Sequence, residues 1–338
     1  MTRRRIIPVF VPHAGCPNAC VFCDQRRISG RIQTATAETV RQALSSLEPG
    51  AEAEIAFYGG SFTALPPAEQ ECLLAAVQPF RAEKYIRAIR LSTRPDAIDD
   101  EALDRLSFYG VETVELGAQS MSEHVLKLSG RGHTAEDVRR ASGMIKSAGF
   151  QLILQMMTGL PGSDDESDLE TGLQLAELRP DGVRIYPTVI VRGTKLEEMW
   201  RSGQYREHSV EDAVRVCAKI VPIFDRAGIP VIRLGLNPST ELSGGDAVGG
   251  AYHPALGELV RSRIQLDQMR EQMKAIPRGS RVTVLTAPSR VSVMTGQHRI
   301  NVLSLQREFG FADLRIRPDP SLSETDIPQI LIAKGLDM

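Results

Sequence analysis

Cys16, Cys20 and Cys23 are the residues of this chain with the clearest chemistry. They form a Cys-x3-Cys-x2-Cys run within His-Ala-Gly-Cys-Pro-Asn-Ala-Cys-Val-Phe-Cys-Asp, directly after an apolar segment, Ile6–Val11. Thiolate is the ligand that iron–sulfur chemistry requires, and a loop this tight turns its three side chains toward one small cluster. On a four-iron cubane, three protein ligands leave one iron open to a substrate or cofactor. A zinc knuckle would supply four ligands as two paired half-sites. Here no second Cys-x2-Cys or His-x3-His follows, and His13 is the nearby candidate for a fourth ligand. A disulfide with a spare thiol needs an oxidising compartment, which nothing else in the sequence suggests. Cys72 and Cys217 stand alone on apolar, helix-patterned segments and read as buried small hydrophobes.

With Phe22 just before the last cysteine, the run resembles the signature of the radical S-adenosylmethionine (SAM) superfamily. That resemblance implies a [4Fe–4S] cluster on Cys16, Cys20 and Cys23, Phe22 beside the cofactor, and SAM chelated at the open iron. It also implies reductive cleavage of SAM to a 5′-deoxyadenosyl radical that abstracts hydrogen, and an electron donor such as flavodoxin or ferredoxin. Gly59-Gly60-Ser61 follows the next apolar segment, where adjacent glycines let backbone approach a ligand closely. The superfamily places its contact to SAM's methionyl amine there.

Gln119 and Arg131 stand twelve positions apart. This spacing is similar to that of coproporphyrinogen-oxidase-like radical SAM proteins, in which a Gln and an Arg hold SAM's ribose and carboxylate. A guanidinium suits the carboxylate because its fork matches bidentately. The same resemblance implies ribose contacts from Ser92 and Thr93, and adenine packing by Met157 and the Gly159–Gly162 turn. Gln155, Arg184 and Tyr186 are expected at the barrel mouth as substrate contacts, while His124 and His208 fall in polar helical contexts and read as solvated.

Glu115–Thr134, and the run from Arg184 through Trp200, resemble the radical SAM domain of the elongator catalytic subunit, a tRNA wobble-uridine modification enzyme, and its bacterial relatives. The resemblance covers residues 6–235. That family carries a long basic segment ahead of the cysteines, where this chain has fifteen residues. It also carries an acetyltransferase domain, and no Arg-x-x-Gly-x-Gly/Ala loop appears after residue 235. Fold and SAM chemistry are therefore expected to carry over, with tRNA not favoured as the substrate and acetyl-CoA not expected. Two other readings are tRNA modification, served by Arg3–Arg5, Arg26, Arg27 and Arg31, and non-catalytic haem handling.

Parallel strands and helices must position these residues. Apolar strands at Ile6–Val11, Ile55–Tyr58, Ile89–Ser92, Val111–Leu116, Leu152–Met157 and Val183–Tyr186 alternate with helical patterns at Ala37–Leu47, Pro67–Phe80, Asp99–Phe108, Ala135–Ala148 and Asp165–Leu178. Repeated β-then-α units imply a parallel sheet with helical crossovers. Each strand ends in glycines or polar residues, the distribution of a barrel whose site is built from loops at the carboxyl ends of its strands. The expected fold is a partial (β/α)6 TIM-like barrel over 1–235. A C-terminal extension, 236–338, would follow with a Gly-rich loop, a helix and a small α/β appendage.

At 338 residues the chain exceeds the usual single core. Its 40 basic and 42 acidic residues give a net charge of −2, so no global basic field points to nucleic acid. Five cysteines are too sparse for a disulfide scaffold. No run of about 18 apolar residues could span a membrane. A cytoplasmic location, where thiolates stay reduced, is expected.

Overall fold

The computed structural model describes residues 4–11, 14–16, 20–29, 35–239 and 242–333. His13, Arg3 and Arg31 lie outside the described residues. The chain divides into two compact units: Met1–Val216 with Ile220–Pro254, and Cys217–Lys219 with Ala255–Met338.

The first unit is built on one parallel sheet. Its strands are β1 (Arg5–Phe10), β2 (Ala53–Tyr58), β3 (Ala88–Thr93), β4 (Thr113–Gln119), β5 (Gln151–Thr158), β6 (Gly182–Pro187) and β8 (Val231–Leu234). They pair in the order β1-β2-β3-β4-β5-β6-β8 and curl into a half-barrel. The partial TIM-like barrel expected from the alternation is thus present, with a seventh strand added after β6. Between β6 and β8 lies β7 (Val189–Val191), which pairs antiparallel with β9 (Ala247–Gly250). The Gly-rich stretch assigned from sequence to the C-terminal extension therefore packs within the first unit as far as Pro254. Every residue of β4 is buried, as a central parallel strand covered on both faces requires.

Helices fill the crossovers: α1 (Gln25–Ser29), α2 (Ala37–Leu44), α3 (Pro67–Ala82), α4 (Asp100–Phe108), α5 (Glu123–Leu128), α6 (Ala135–Ser147), α7 (Asp165–Glu177), α8 (Lys195–Arg201) and α9 (Val210–Arg226). Their starts are written in the sequence. Thr36, Thr134, Asp164 and Ser209 cap α2, α6, α7 and α9, each in a reciprocal capping box with the residue three positions on. Such caps each contribute about 1 kcal/mol and fix where the crossover turns back onto the sheet.

One cysteine departs from its sequence reading. Cys217 is buried as expected, but Cys72 is exposed. On α3 the buried stripe runs through Gln70, Leu73, Leu74, Ala76 and Val77, and Cys72 falls outside it.

The second unit holds α10 (Leu256–Met273), β10 (Arg281–Thr286), α11 (Val291–Thr295), α12 (Ile300–Phe309), β11 (Asp313–Pro318) and β12 (Gln329–Ala333). Its three-stranded sheet has β10 at the centre. Alternate residues Val282, Val284 and Leu314 pack on Met269, Met273, Val302 and Leu305 to form a separate core.

Candidate active site

The cysteine loop leaves β1 and enters α1. Cys16 is exposed, while Cys20 and Cys23 are half-buried. Cys23 N donates to Cys20 O at 3.1 Å, closing a tight turn. Val21 N donates to Ser129 O at 3.1 Å, and Val21 O accepts from Leu196 N at 2.8 Å, so the loop is pinned from two sides. Phe22 packs against the apolar cluster of Val21, Ile190, Leu196 and Tyr205. The aromatic residue thus anchors the loop from beneath.

Each thiol is met by a different polar group. Cys16 Sγ lies 3.7 Å from Ser61 Oγ, Gln25 Nε2 donates to Cys23 Sγ at 3.4 Å, and Arg131 Nη1 donates to Cys20 Sγ at 3.3 Å. Burial, with the neighbouring Cys20 second, pushes the Cys23 thiol up to about 12. The three thiols are near enough for Cys20 and Cys16 to add to that rise. Among the described residues, however, no three Cys, His, Asp or Glu side chains are drawn together as a metal-holding group.

Gly59 and Gly60 join the second strand to this loop. A Cβ on Gly60 would come within 2.4 Å of Val11 O and 2.5 Å of Ala14 O. Ser61 N donates to Ala14 O at 2.9 Å. The glycine pair thus seats the β2 loop directly against the cysteine loop. Ser92 Oγ donates to Phe57 O at 3.4 Å, and the buried Thr93 hydroxyl lies 2.6 Å from that of Thr63. Both hydroxyls therefore have partners in the protein, and Thr93 ties the end of β3 to the turn after β2.

At the end of β4, a bulge at Gly117–Gln119 puts Gln119 in the left-handed region, with φ of 65°. A non-glycine residue there carries backbone strain that the surroundings must hold. The side chain is buried, and among the described residues its Oε1 has no hydrogen-bond partner. The side chain thus holds a buried acceptor that no donor of the described residues meets, which native folds seldom leave. Arg131 lies beside it: Nη2 donates to Gly117 O at 2.6 Å. A Cβ on Gly117 would sit 2.9 Å from Gln119 Nε2 and 3.3 Å from Arg131 Nη2, so only glycine leaves both side chains their places. Arg94, itself buried and bidentate to Asp96, donates to Arg131 O at 2.7 Å and holds that backbone.

The turn after β5 is clamped by groups that the sequence reading missed or misplaced. Buried Asp168 accepts from Gly159 N at 2.9 Å, and Tyr205 donates to Gly159 O at 2.6 Å. His208, read from sequence as solvated, is half-buried against Gly159, with Nε2 3.2 Å from Thr158 Oγ1. His124 is exposed. Burial pushes the Asp168 carboxyl up to about 7. His133, also missed, is buried with Nε2 3.1 Å from Ala118 O. Burial, with Arg131 second, pulls its pKa down to about 4.

Deeper between the strands lies a charged network. Glu115 is fully buried and accepts from Tyr58 at 2.9 Å, Arg90 at 3.0 Å, Arg184 at 2.9 Å and Gln155 at 3.1 Å. Arg90 also pairs with Glu54. Burial would raise the Glu115 pKa, but the guanidiniums of Arg184 and Arg90 outweigh it and hold the carboxyl below its ordinary value. Of the expected substrate contacts, Gln155 and Arg184 are thus already committed to Glu115. Half-buried Tyr186 and Met157 are register partners on β6 and β5. Glu115 carried a signal that was legible: a carboxylate inside an otherwise apolar, two-face-buried strand must have cationic partners.

Residues 10–173 match the Radical SAM superfamily model, and residues 180–266 match the Radical_SAM C-terminal domain. This chain belongs to the radical SAM superfamily. Members of the superfamily are enzymes, and they bind a [4Fe–4S] cluster and SAM. The chain is 32% identical over 190 residues to Elongator complex protein 3 of Homo sapiens, a match covering 50% of this chain and 35% of that protein. It is 35% identical over 183 residues to the tRNA uridine(34) acetyltransferase of Methanocaldococcus jannaschii, covering 53% of this chain and 33% of that one. The match therefore spans about a third of the length of these relatives. In fold, the chain resembles the archaeal Methanocaldococcus infernus Elp3 with an N-terminal deletion. That superposition has a TM-score of 0.62 at 23% identity, over 78% of this chain and 63% of the other. Coproporphyrinogen III oxidase from Escherichia coli superposes with a TM-score of 0.50 at 20% identity, over 67% and 54% of the two chains. Among the described residues no helix is long and apolar enough to cross a membrane.

Proposed function

We propose that this radical SAM protein uses Cys16, Cys20 and Cys23 as the three thiolate ligands of a [4Fe–4S] cluster. SAM would be held at the open iron by Gly59, Gly60, Gln119 and Arg131. When bound and reduced by a donor such as flavodoxin or ferredoxin, the cluster and SAM supply a 5′-deoxyadenosyl radical for hydrogen abstraction. The chain's own residues do the positioning. Phe22 and Val21 anchor the cysteine loop. Arg94 fixes Arg131, whose guanidinium lies between Cys20 Sγ and Gly117 O and presents a fork suited to a carboxylate. Asp168, Tyr205 and His208 hold the turn that would flank adenine. Ser61 is placed at Cys16; Ser92 and Thr93 serve the packing of the second-strand loop more directly than a ribose.

The observation that carries this reading is the buried, unpartnered Oε1 of Gln119 on a strained residue beside Arg131, with Arg131 hydrogen-bonded to a loop cysteine. A protein keeps such a strained, unsatisfied group where a ligand completes it. Isothermal titration of SAM into the anaerobically reconstituted protein tests it. Gln119→Ala is expected to weaken SAM binding without lowering iron content, and unchanged affinity would remove Gln119 from the site.

A second reading, tRNA modification, is favoured by the names of the elongator relatives over the matched stretch. The charge balance of 40 basic to 42 acidic residues weighs against it.

A further inference from the structure

Arg184 and Arg233 are register partners on the neighbouring strands β6 and β8. Like charges directly opposite on adjacent strands repel, so each needs an anion. Arg184 has one: its Nη2 donates to Glu115 Oε1 at 2.9 Å and its Nε lies 2.8 Å from Oε2. Glu115 is shared with Arg90, which also takes Glu54. Two interior guanidiniums, on Arg90 and Arg184, thus take up the two carboxylates of Glu54 and Glu115.

Arg233 is the one left over. It is half-buried, and its Nε donates to the backbone O of Gly235 at 2.9 Å. Among the described residues no carboxylate pairs with it, although Tyr186 and Arg184 are near enough to perturb its charge. Leaving a guanidinium in a partly desolvated interior beside a second cation is costly unless an anion arrives to pair with it. Resting on the radical SAM reading above, we infer that the substrate carries an anionic group, a carboxylate or a phosphate, which Arg233 binds inside the barrel beside Tyr186. The Glu115 network would keep Arg184 from competing for it and hold the neighbouring strands in register.

Thermal unfolding of the full, anaerobically reconstituted protein tests this with sodium phosphate and sodium malonate as probes. Sodium chloride matched in ionic strength serves as the control. An anion that binds only the folded state raises the midpoint with its concentration. Wild type is expected to rise with phosphate, malonate or both. Phosphate alone points to a phosphoryl substrate and malonate alone to a carboxylate. Arg233→Gln is expected to lose the response, and Arg233→Lys to need at least tenfold more anion, because an ammonium lacks the fork. Without anions Arg233→Gln should unfold no lower than wild type, since it removes a like-charge neighbour of Arg184. Three results would overturn the proposal: no rise beyond chloride in wild type, an equal rise in Arg233→Gln, or a wild-type rise that saturating SAM abolishes. The last would assign Arg233 to SAM's own carboxylate. Iron content and SAM binding on the same samples report the radical SAM reading separately, so the two can fail independently.

Discussion

Arg131 Nη1 lies 3.3 Å from Cys20 Sγ, joining a loop after β4 to a cysteine more than a hundred residues earlier in the chain. One guanidinium therefore touches a proposed cluster ligand and stands near the Gln119 side chain, whose Oε1 has no partner among the described residues. Hydrogen bonds to cluster sulfurs tune iron–sulfur centres, and a planar fork binds a carboxylate in two places at once. Both roles depend on shape as well as charge.

Arg131→Lys keeps the charge and loses the fork. SAM affinity should fall by about 1–3 kcal/mol, the range for charge-assisted hydrogen bonds, with iron content unchanged. Calorimetry checks this; equal affinity would place Arg131 outside the SAM site.

Glu115→Gln should be among the most destabilising single changes in the barrel. It leaves Arg184 and Arg90 with one shared carboxylate fewer in a buried setting, and removing one partner of such a network costs about 3–5 kcal/mol. Urea unfolding measures it, and a loss below about 1 kcal/mol, the scale of surface pairs, would mean the network is solvated.

Asp168 gives a pH dependence of defined sign. Its folded pKa of about 7 lies above the unfolded carboxylate value of about 3.9. The folded state therefore binds the extra proton between those limits, and stability falls as pH rises through that window before levelling off. Asp168→Asn removes this contribution. Thermal midpoints from about pH 4 to pH 7 should decline less steeply in the variant than in wild type. Parallel profiles would show that Asp168 is ionised throughout.

Binding to tRNA should be weak. Affinity for a phosphate backbone comes from clustered basic residues, and this chain has slightly more acidic than basic ones. A dissociation constant no tighter than ~10⁻⁶ M at physiological salt is expected from filter binding across a salt series. Submicromolar binding that survives about 200 mM salt would restore tRNA modification as the leading function.

The parts legible in the sequence were those that local rules write. Cysteine spacing, glycines after strands and the alternation of strand-like and helix-like apolar patterns each depend on nearby positions, and they located the loop, the β2 turn and the crossovers. What could not be read depends on register and on which face of an element turns inward. Arg233 looks like any polar residue near a strand end until β8 is paired with β6 and sets it beside Arg184. Cys72 sits in an apolar stretch of sequence, yet a helical turn carries it off the buried stripe of α3. His208 reads as solvated until the β5 turn is seen to lean on it, where a Cβ on Gly159 would come within 2.1 Å of its ring. Ala247–Gly250 reads as part of a Gly-rich loop, and becomes a strand because β7 offers it an edge.

Cluster-dependent cleavage of SAM is read out by two quantities on a single sample. Iron content and 5′-deoxyadenosine formation with dithionite and SAM are determined together on the anaerobically reconstituted protein. Wild type should bind about four irons per chain and form 5′-deoxyadenosine. Cys16→Ala, Cys20→Ala and Cys23→Ala should each lose both, while Cys72→Ala and Cys217→Ala keep both. Full iron in Cys20→Ala would remove Cys20 from the ligand set, and wild-type protein with a full cluster that leaves SAM intact would rule out radical SAM cleavage.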